Sequence, residues 1–366
     1  MIGRPNFTAF FLCIAALAGN ATLGGFDIFL ILAVPVGLVI FLRDPRLGAA
    51  GGGFGLWLAL LALVPLAMRA PEIGIPYFEL YWLWPWKAAL LAILLLRERE
   101  ARWPFANDML LAGFTLLLLA SARIEEGRMV SLFGPNMLYR FFGTGFIIAL
   151  LRLGSVSGWQ ARFSLGFAGL SAGAMMLTGS VGALGVFAAA LYFARTSLWR
   201  MLRSAGAILL AAGAALLALN WQAVLDSNLI SRVLYKLENL DRDDRLVGWS
   251  KLAGSEPGWW GLDYRDLAFA WTARSPYPHN MPLELYVFHG FYGLMLASLV
   301  LASFWIARHT RWLFYFPLLV ILIGALFSGD LSDNFAVLAF PVVLAAQYRA
   351  LARPVFPFAP HRSAPV

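Results

Sequence analysis

His279 is the side chain in this sequence best suited to act as a general base. Pro276 and Pro278 stiffen the chain before it, and Asn280 after it can cap a helix over the apolar run 283–306. His279 would then lie at the positive end of a helix, where the dipole disfavours the imidazolium and keeps the ring neutral. A neutral imidazole can accept the proton of a hydroxyl group, so this position suits the activation of an alcohol.

Arg245 is the second candidate, because the sequence places a cation where a helix disfavours one. Asp243 and Asp244 suit the N-terminus of a helix that Gly254 can end, and Arg245 would lie in its first turn. The macrodipole there favours anions, so Arg245 needs a specific partner. That partner is Asp241 or Asp244, or else a phosphate group, whose oxygens match the guanidinium fork.

Two short helices are predicted in the long connection that carries both candidates, residues 221–282. The apolar spacing within 230–237 predicts an amphipathic helix that lies on a membrane surface or against other helices. The helix that contains Arg245 would turn three apolar side chains inward, those of Leu246, Trp249 and Leu252. A connection of this length is more often functional than idle.

The elements that hold this connection follow from composition. Of the 366 residues, 61% are hydrophobic and 13% are charged, and the mean hydropathy is +0.74. Soluble domains carry about 25% charged residues, so a soluble, disordered or collagen-like chain is excluded. The apolar runs are continuous and do not alternate as strands in an outer membrane do. We therefore predict an all-α, polytopic integral membrane protein.

Twelve apolar segments predict twelve transmembrane helices. They divide the chain into nine helices within 1–220, the long connection 221–282, three helices within 283–350, and a proline-rich disordered tail, 351–366. The twelve segments are residues 7–20, 25–42, 49–68, 78–96, 105–121, 136–151, 160–179, 181–195, 201–220, 283–306, 312–328 and 334–350.

The distribution of arginine predicts the topology. Arginine is concentrated at both termini and in the connections that follow even-numbered segments, whereas the short odd-numbered connections hold only Arg69, Arg123 and Arg128. Short basic connections face the cytoplasm, so both termini are predicted inside and residues 221–282 outside, in the periplasm of a double-membrane bacterium. The net charge of +8 then reflects cytoplasmic connections and not nucleic-acid binding. Cys13 is the one cysteine, and no Cys/His spacing suggests zinc, so no metal or cofactor is predicted.

A series of short motifs runs in order through residues 130–300. In that order the chain resembles the O-antigen ligase and the O-antigen and exopolysaccharide polymerase superfamily of membrane glycosyltransferases. The motifs are Phe133-Gly134-Pro135-Asn136, then Leu177-Thr178-Gly179-Ser180-Val181-Gly182, then Arg245 with Trp249, Gly258 with Gly261, His279-Asn280-Met281-Pro282-Leu283-Glu284, and Gly290 with Gly293.

The resemblance implies transfer of a glycan from undecaprenyl pyrophosphate to an acceptor hydroxyl on the periplasmic side. It implies His279 as the base that activates this hydroxyl and Arg245 as a ligand of the pyrophosphate. Asn136, Asn280 and Glu284 belong to the same motifs and are further candidates for substrate binding. Glu284 either orients His279 or caps the helix.

One cation that the resemblance leads us to expect is missing. Many members of the superfamily have arginine after the serine of the Thr-x-Ser stretch, where this chain has Val181. Arg140 is the predicted substitute, because it lies one helical turn after Asn136 on the same face. An arginine within a membrane span is costly, which favours a functional role over a snorkelling side chain at the outer interface. Arg123 and Arg128, just before this segment, are the other candidates.

The partners implied are a lipid bilayer, an undecaprenyl-pyrophosphate-linked glycan donor, and an acceptor. A lipid-linked glycan as acceptor would make the protein a polymerase, lipid A-core a ligase, and a protein an O-oligosaccharyltransferase. The sequence leaves these open. The rival class is a transporter or flippase of lipid-linked glycans, which should place its key charges near the middle of the membrane. Here the candidates cluster at the predicted outer face.

Overall fold

The computed structural model describes most of the helical part of the chain. The described residues are 3–19, 21–23, 26–43, 75–97, 103–125, 128–203, 280–309, 312–327 and 331–351, with positions 231, 234–235, 238, 249–250, 252, 254, 258–259 and 261. His279, Arg245, the predicted segment 49–68 and most of 201–220 lie outside them.

The described residues are mostly helical, which confirms the predicted all-α class. The helices are α1 Phe7–Ala18, α2 Ile28–Arg43, α3 Ile75–Arg97, α4 Phe105–Ala120, α5 Pro135–Leu153, α6 Gly158–Leu177, α7 Gly182–Arg203, α8 Met281–Ile306, α9 Tyr315–Ala325 and α10 Leu331–Leu351, with a 3-10 turn at Ala307–His309.

Within these ranges, the stretch Met281–His309 is long and apolar enough to cross a membrane by length and composition alone, although its helix is broken at Gly290. Seven other apolar helical stretches are 10–17 residues long. A full crossing takes about 20 residues. The twelve-span architecture therefore stays a prediction.

Two local features differ from the predicted loops and spans. Two antiparallel hairpins are present, β1 Thr22–Leu23 with β2 Phe26–Asp27 and β3 Arg123–Glu125 with β4 Arg128–Val130. Strands β1, β3 and β4 stand where loops were predicted, whereas β2 takes the first residues of the predicted segment 25–42. The predicted continuous helix over 283–306 is broken at Gly290, whose φ of 59° is left-handed.

Small residues on α5 explain how closely its neighbours approach. A Cβ at Gly143 would lie 2.9 Å from the Val186 side chain of α7, and one at Gly145 would lie 2.7 Å from the Phe167 ring of α6. Helix pairs in membranes use small residues in this way, because close backbone approach increases van der Waals contact. α5 also contacts α4 and α9, so it is central in the bundle.

One end of the bundle gathers the connections that were predicted to face outward. Gly19, after α1, lies against the Asp333 carbonyl at the start of α10, and Asn280, before α8, donates to the Leu326 carbonyl after α9 at 2.9 Å. The connections before α5 and between α6 and α7 lie at this same end, where Arg128 joins them. We call it the polar end. The arginine alternation predicts that these connections face outward, and this orientation stays a prediction.

The opposite end is fastened by a buried ion pair between α4 and α5. The Nε of Arg152 lies 2.8 Å from Oδ2 of Asp108, and the Trp103 indole donates to Oδ1 of the same carboxylate at 2.7 Å. Arg152 also donates to the Trp103 carbonyl. By the predicted topology this is the cytoplasmic end.

Candidate functional site

Arg128 joins two of the sequence motifs at the polar end. Its Nε donates to the Thr178 carbonyl at 3.2 Å, and a terminal nitrogen donates to Oδ1 of Asn136 at 3.1 Å. The Ser180 hydroxyl lies 3.4 Å from the same Asn136 oxygen. The segments around residues 136 and 180 are distant in sequence, so this half-buried guanidinium holds them together.

The local sequence explains the geometry of this junction. Gly134 is the extended residue before α5, and Pro135 occupies its first turn, where a missing N–H costs nothing. The Thr178 hydroxyl donates to the Met175 carbonyl at 2.7 Å where α6 ends, and Gly179, with a φ of 59°, reverses the chain toward α7. The N-termini of α5 and α7 therefore meet beside Arg128. Their dipoles add to its charge, an arrangement that favours an anion.

Arg123 lies outside this junction. Its side chain is 74% exposed and pairs with Glu125 at 2.5 Å within strand β3. The hairpin therefore places Arg128 at the Asn136 junction and leaves Arg123 on the surface.

Arg140 is buried inside the bundle, so the snorkelling alternative is wrong. One terminal nitrogen donates to the Asp333 carbonyl at 3.1 Å, and the other donates to Oδ1 of Asn334 at 2.7 Å. Gly324 of α9 makes room for it, since a Cβ there would lie 3.2 Å from Nε of Arg140 and would meet the Tyr139 hydroxyl. Arg140 thus holds the N-terminus of α10, one helical turn below Asn136.

Lys87 is a buried cation that the sequence analysis missed. Its Nζ lies 2.7 Å from Oδ2 of Asp27 and 3.1 Å from the Gly19 carbonyl, and it is 4.5 Å from the centroid of the Phe335 ring. Lys87 lies in the aromatic-rich predicted transmembrane segment 78–96. The available signal was the cost of any lone charge within a span, the same signal that marked Arg140.

Gly19 connects the two buried cations. Its carbonyl accepts from Lys87, and a Cβ on it would lie 2.7 Å from the Asp333 carbonyl that accepts from Arg140. Its φ of 60° also favours glycine. Asp27, Lys87, Gly19, Asp333 and Arg140 form one polar chain, which we call the buried network.

Asn280 caps α8, as predicted. Its side chain accepts from the Leu283 N–H at 3.0 Å and donates to the Leu326 carbonyl at 2.9 Å, which binds the start of α8 to the end of α9. Glu284 is fully buried one turn later. Whether Glu284 orients His279 stays a prediction, because His279 lies outside the described residues. His289 is also buried, with its ring 6.3 Å from that of Trp84.

The glycine motifs also come together. A Cβ at Gly290 would lie 2.5 Å from both the Gly258 carbonyl oxygen and the Gly261 nitrogen. Leu252 is helical and buried beside Val287, which confirms its predicted inward orientation.

The described positions 231–238 are helical too, but Leu234 is 42% exposed, which favours the predicted surface location over packing against other helices.

The comparisons with known proteins add no relative: a scan of protein-family models and a search of curated proteins both find no match for this chain. Among the residues that the structure describes, no group of three or more His, Cys, Asp or Glu side chains could hold a metal ion. Functional inference therefore rests on the polar end itself.

Proposed function

We propose that this protein is an inner-membrane glycosyltransferase of the O-antigen ligase/polymerase type. It transfers a glycan from an undecaprenyl-pyrophosphate donor to an acceptor hydroxyl on the periplasmic side. The observation that carries the proposal is the Arg128 junction, where motifs from residues 133–136 and 177–182 meet at the N-termini of α5 and α7. A guanidinium between two helix N-termini suits a pyrophosphate.

The proposed chemistry divides between an anion site and a base. Arg128 and Arg245 bind the pyrophosphate and stabilise the negative charge that grows on it as the bond to the sugar breaks. His279 takes the proton of the acceptor hydroxyl, whose oxygen forms the new bond to the sugar carbon. Undecaprenyl pyrophosphate leaves. Arg140 contributes indirectly, because it holds the start of α10 one helical turn below Asn136.

The proposal includes twelve transmembrane helices, with both termini in the cytoplasm and the polar end facing the periplasm. The arginine alternation supports this orientation, because short basic connections face the cytoplasm. Nucleotide-sugar donors are made in the cytoplasm, so a transferase acting outside needs a lipid-linked donor whose leaving group is already activated.

The experiment offers purified protein a defined undecaprenyl-pyrophosphate glycan together with one acceptor at a time: a lipid-linked repeat, lipid A-core, or a protein. We expect a glycosylated product with one class of acceptor and release of undecaprenyl pyrophosphate. Movement of the intact donor between leaflets of a proteoliposome, without transfer, would instead identify a flippase.

A further inference from the structure

The break in α8 coincides with a contact between two backbones. Gly290 has a φ of 59°, and a Cβ on it would lie 2.5 Å from the Gly258 oxygen and 2.6 Å from the Trp259 carbonyl carbon. These are backbone atoms, which cannot rotate aside as a flexible side chain can. A turn from the long connection therefore occupies the position where the helix changes direction.

The contact is reciprocal. Gly261 has a φ of 99°, and a Cβ on it would meet the Val287 carbonyl oxygen and lie 2.6 Å from the Phe288 carbonyl carbon. Each partner thus requires glycine for two reasons, its left-handed backbone and the absence of space. We call the meeting of residues 258–261 with residues 287–290 the docking contact.

Side chains on both sides extend the docking contact. The Trp259 ring centroid lies 5.1 Å from that of Phe291 and 6.3 Å from that of Tyr292. Leu252 and Val287 are both fully buried against each other. Aromatic pairs at these distances add to the free energy of burial.

The docking contact fixes one end of a short helical piece, Met281–His289, and Asn280 fixes the other through the Leu326 carbonyl. Beyond the break, the backbone turns back, since a Cβ at Gly293 would collide with the Leu285 carbonyl. In a straight helix, residues eight apart are separated by about 12 Å along the axis. The direction of the short piece, and with it the placement of Asn280 and Glu284, thus depends on the break.

We propose that the docking contact positions this short helix for the transfer reaction, with Gly261 and Gly290 as positioning residues. The inference rests on the proposed function, because Asn280 and Glu284 belong to the proposed site and His279 is the covalent neighbour of Asn280. Arg128, which would bind the donor, lies on a different element, strand β4.

The test compares Gly261→Ala and Gly290→Ala with Gly158→Ala. Gly158, at the start of α6 and outside the docking contact, also has a positive φ, of 60°, but a Cβ there would have no atom within 4 Å, so this control carries the backbone strain without the collision. We expect kcat to fall by roughly tenfold or more in the two test variants, because a small misplacement of reacting groups is costly. The KM for the lipid donor should stay close to that of the wild type. Trp259→Ala, which adds neither strain nor collision, should lower kcat by a smaller factor.

A readout independent of catalysis reports the contact itself. Cysteines placed at positions 259 and 291 of a Cys13→Ala protein should be joined by a short bifunctional maleimide in membranes, with or without Gly158→Ala, but not with Gly261→Ala. Normal kcat together with a lost cross-link would overturn the positioning role, and an unchanged cross-link in Gly261→Ala would overturn the contact. A wild-type protein that cross-links but transfers no glycan would refute the proposed function, and with it the positioning role, while leaving the contact intact.

Discussion

Arg128 and Arg140 lie one above the other at the polar end, and their surroundings indicate different roles. Arg128 is half-buried and bridges Thr178 and Asn136 from a hairpin. Arg140 is buried, with both terminal nitrogens bonded to the start of α10. The first can exchange protein partners for a phosphate, whereas the second stabilises the frame beneath it.

Replacing Arg128 tests the proposed anion site. Arg128→Lys keeps the charge but loses the planar fork, so we expect a clear loss of affinity for the pyrophosphate donor, and Arg128→Ala should lose more. The measurement is donor binding to purified variants of equal thermal stability. Arg195→Ala is the matched control, because Arg195 is exposed in the distal half of α7. Arg123→Ala should also cost less than Arg128→Ala, and an Arg128→Ala protein with normal donor affinity would remove this residue from the site.

Arg140→Ala should act first on stability. It removes two hydrogen bonds from a charged group, to the Asp333 carbonyl and to the Asn334 amide oxygen, and each such bond contributes about 1.5–3 kcal/mol to the free energy of unfolding. Thermal unfolding in detergent measures the effect. We expect reduced transfer as well, because the start of α10 moves. A variant with the melting temperature and the transfer rate of the wild type would show that Arg140 contributes to neither.

At the scale of elements, the buried ion pair of Lys87 and Asp27 links α3 to the hairpin before α2. Removing one partner leaves an uncompensated buried charge, which typically costs about 3–5 kcal/mol. We therefore expect Lys87→Met or Asp27→Asn to lower the unfolding temperature strongly, and the double variant Lys87→Met/Asp27→Leu to recover part of the loss.

The hairpin pair of Arg123 and Glu125 provides the comparison for that prediction. Both of its side chains are exposed, and exposed pairs contribute about 0–1 kcal/mol. Glu125→Gln should therefore leave the unfolding temperature almost unchanged. If Lys87→Met were as mild as Glu125→Gln, the buried network would have no structural role.

Elements that depend only on neighbouring residues could be predicted from the sequence. The helices follow from continuous apolar runs, and the Asn280 cap follows from residue type and position. The break at Gly290 could not be predicted, because its cause is a turn some thirty residues earlier in the chain. The partners of Arg140 could not be predicted either, since they come from the start of α10. Lys87 lies in a segment rich in tryptophan, and the sequence analysis overlooked its charge.

At the scale of the whole molecule, the arginine alternation predicts which way the bundle faces. We predict that both termini lie in the cytoplasm and residues 221–282 outside. A reporter fused after Leu351 should be active only as a cytoplasmic fusion, while one inserted within residues 221–282 should report the periplasm. A terminal reporter that is active only in the periplasm would contradict the topology.

The central claim is that the polar end binds a lipid pyrophosphate while a neighbouring histidine activates the acceptor, and one paired measurement on His279→Ala tests it most directly. Transfer and donor affinity are measured together on wild-type and variant proteins of equal stability, in excess EDTA, because the proposed site needs no metal. We predict that wild-type protein transfers the glycan and that its rate falls as the imidazole is protonated at lower pH. His279→Ala should bind the donor normally and transfer nothing, and His279→Gln should behave alike because it cannot take up the proton. Transfer by His279→Ala at the wild-type rate would contradict the account.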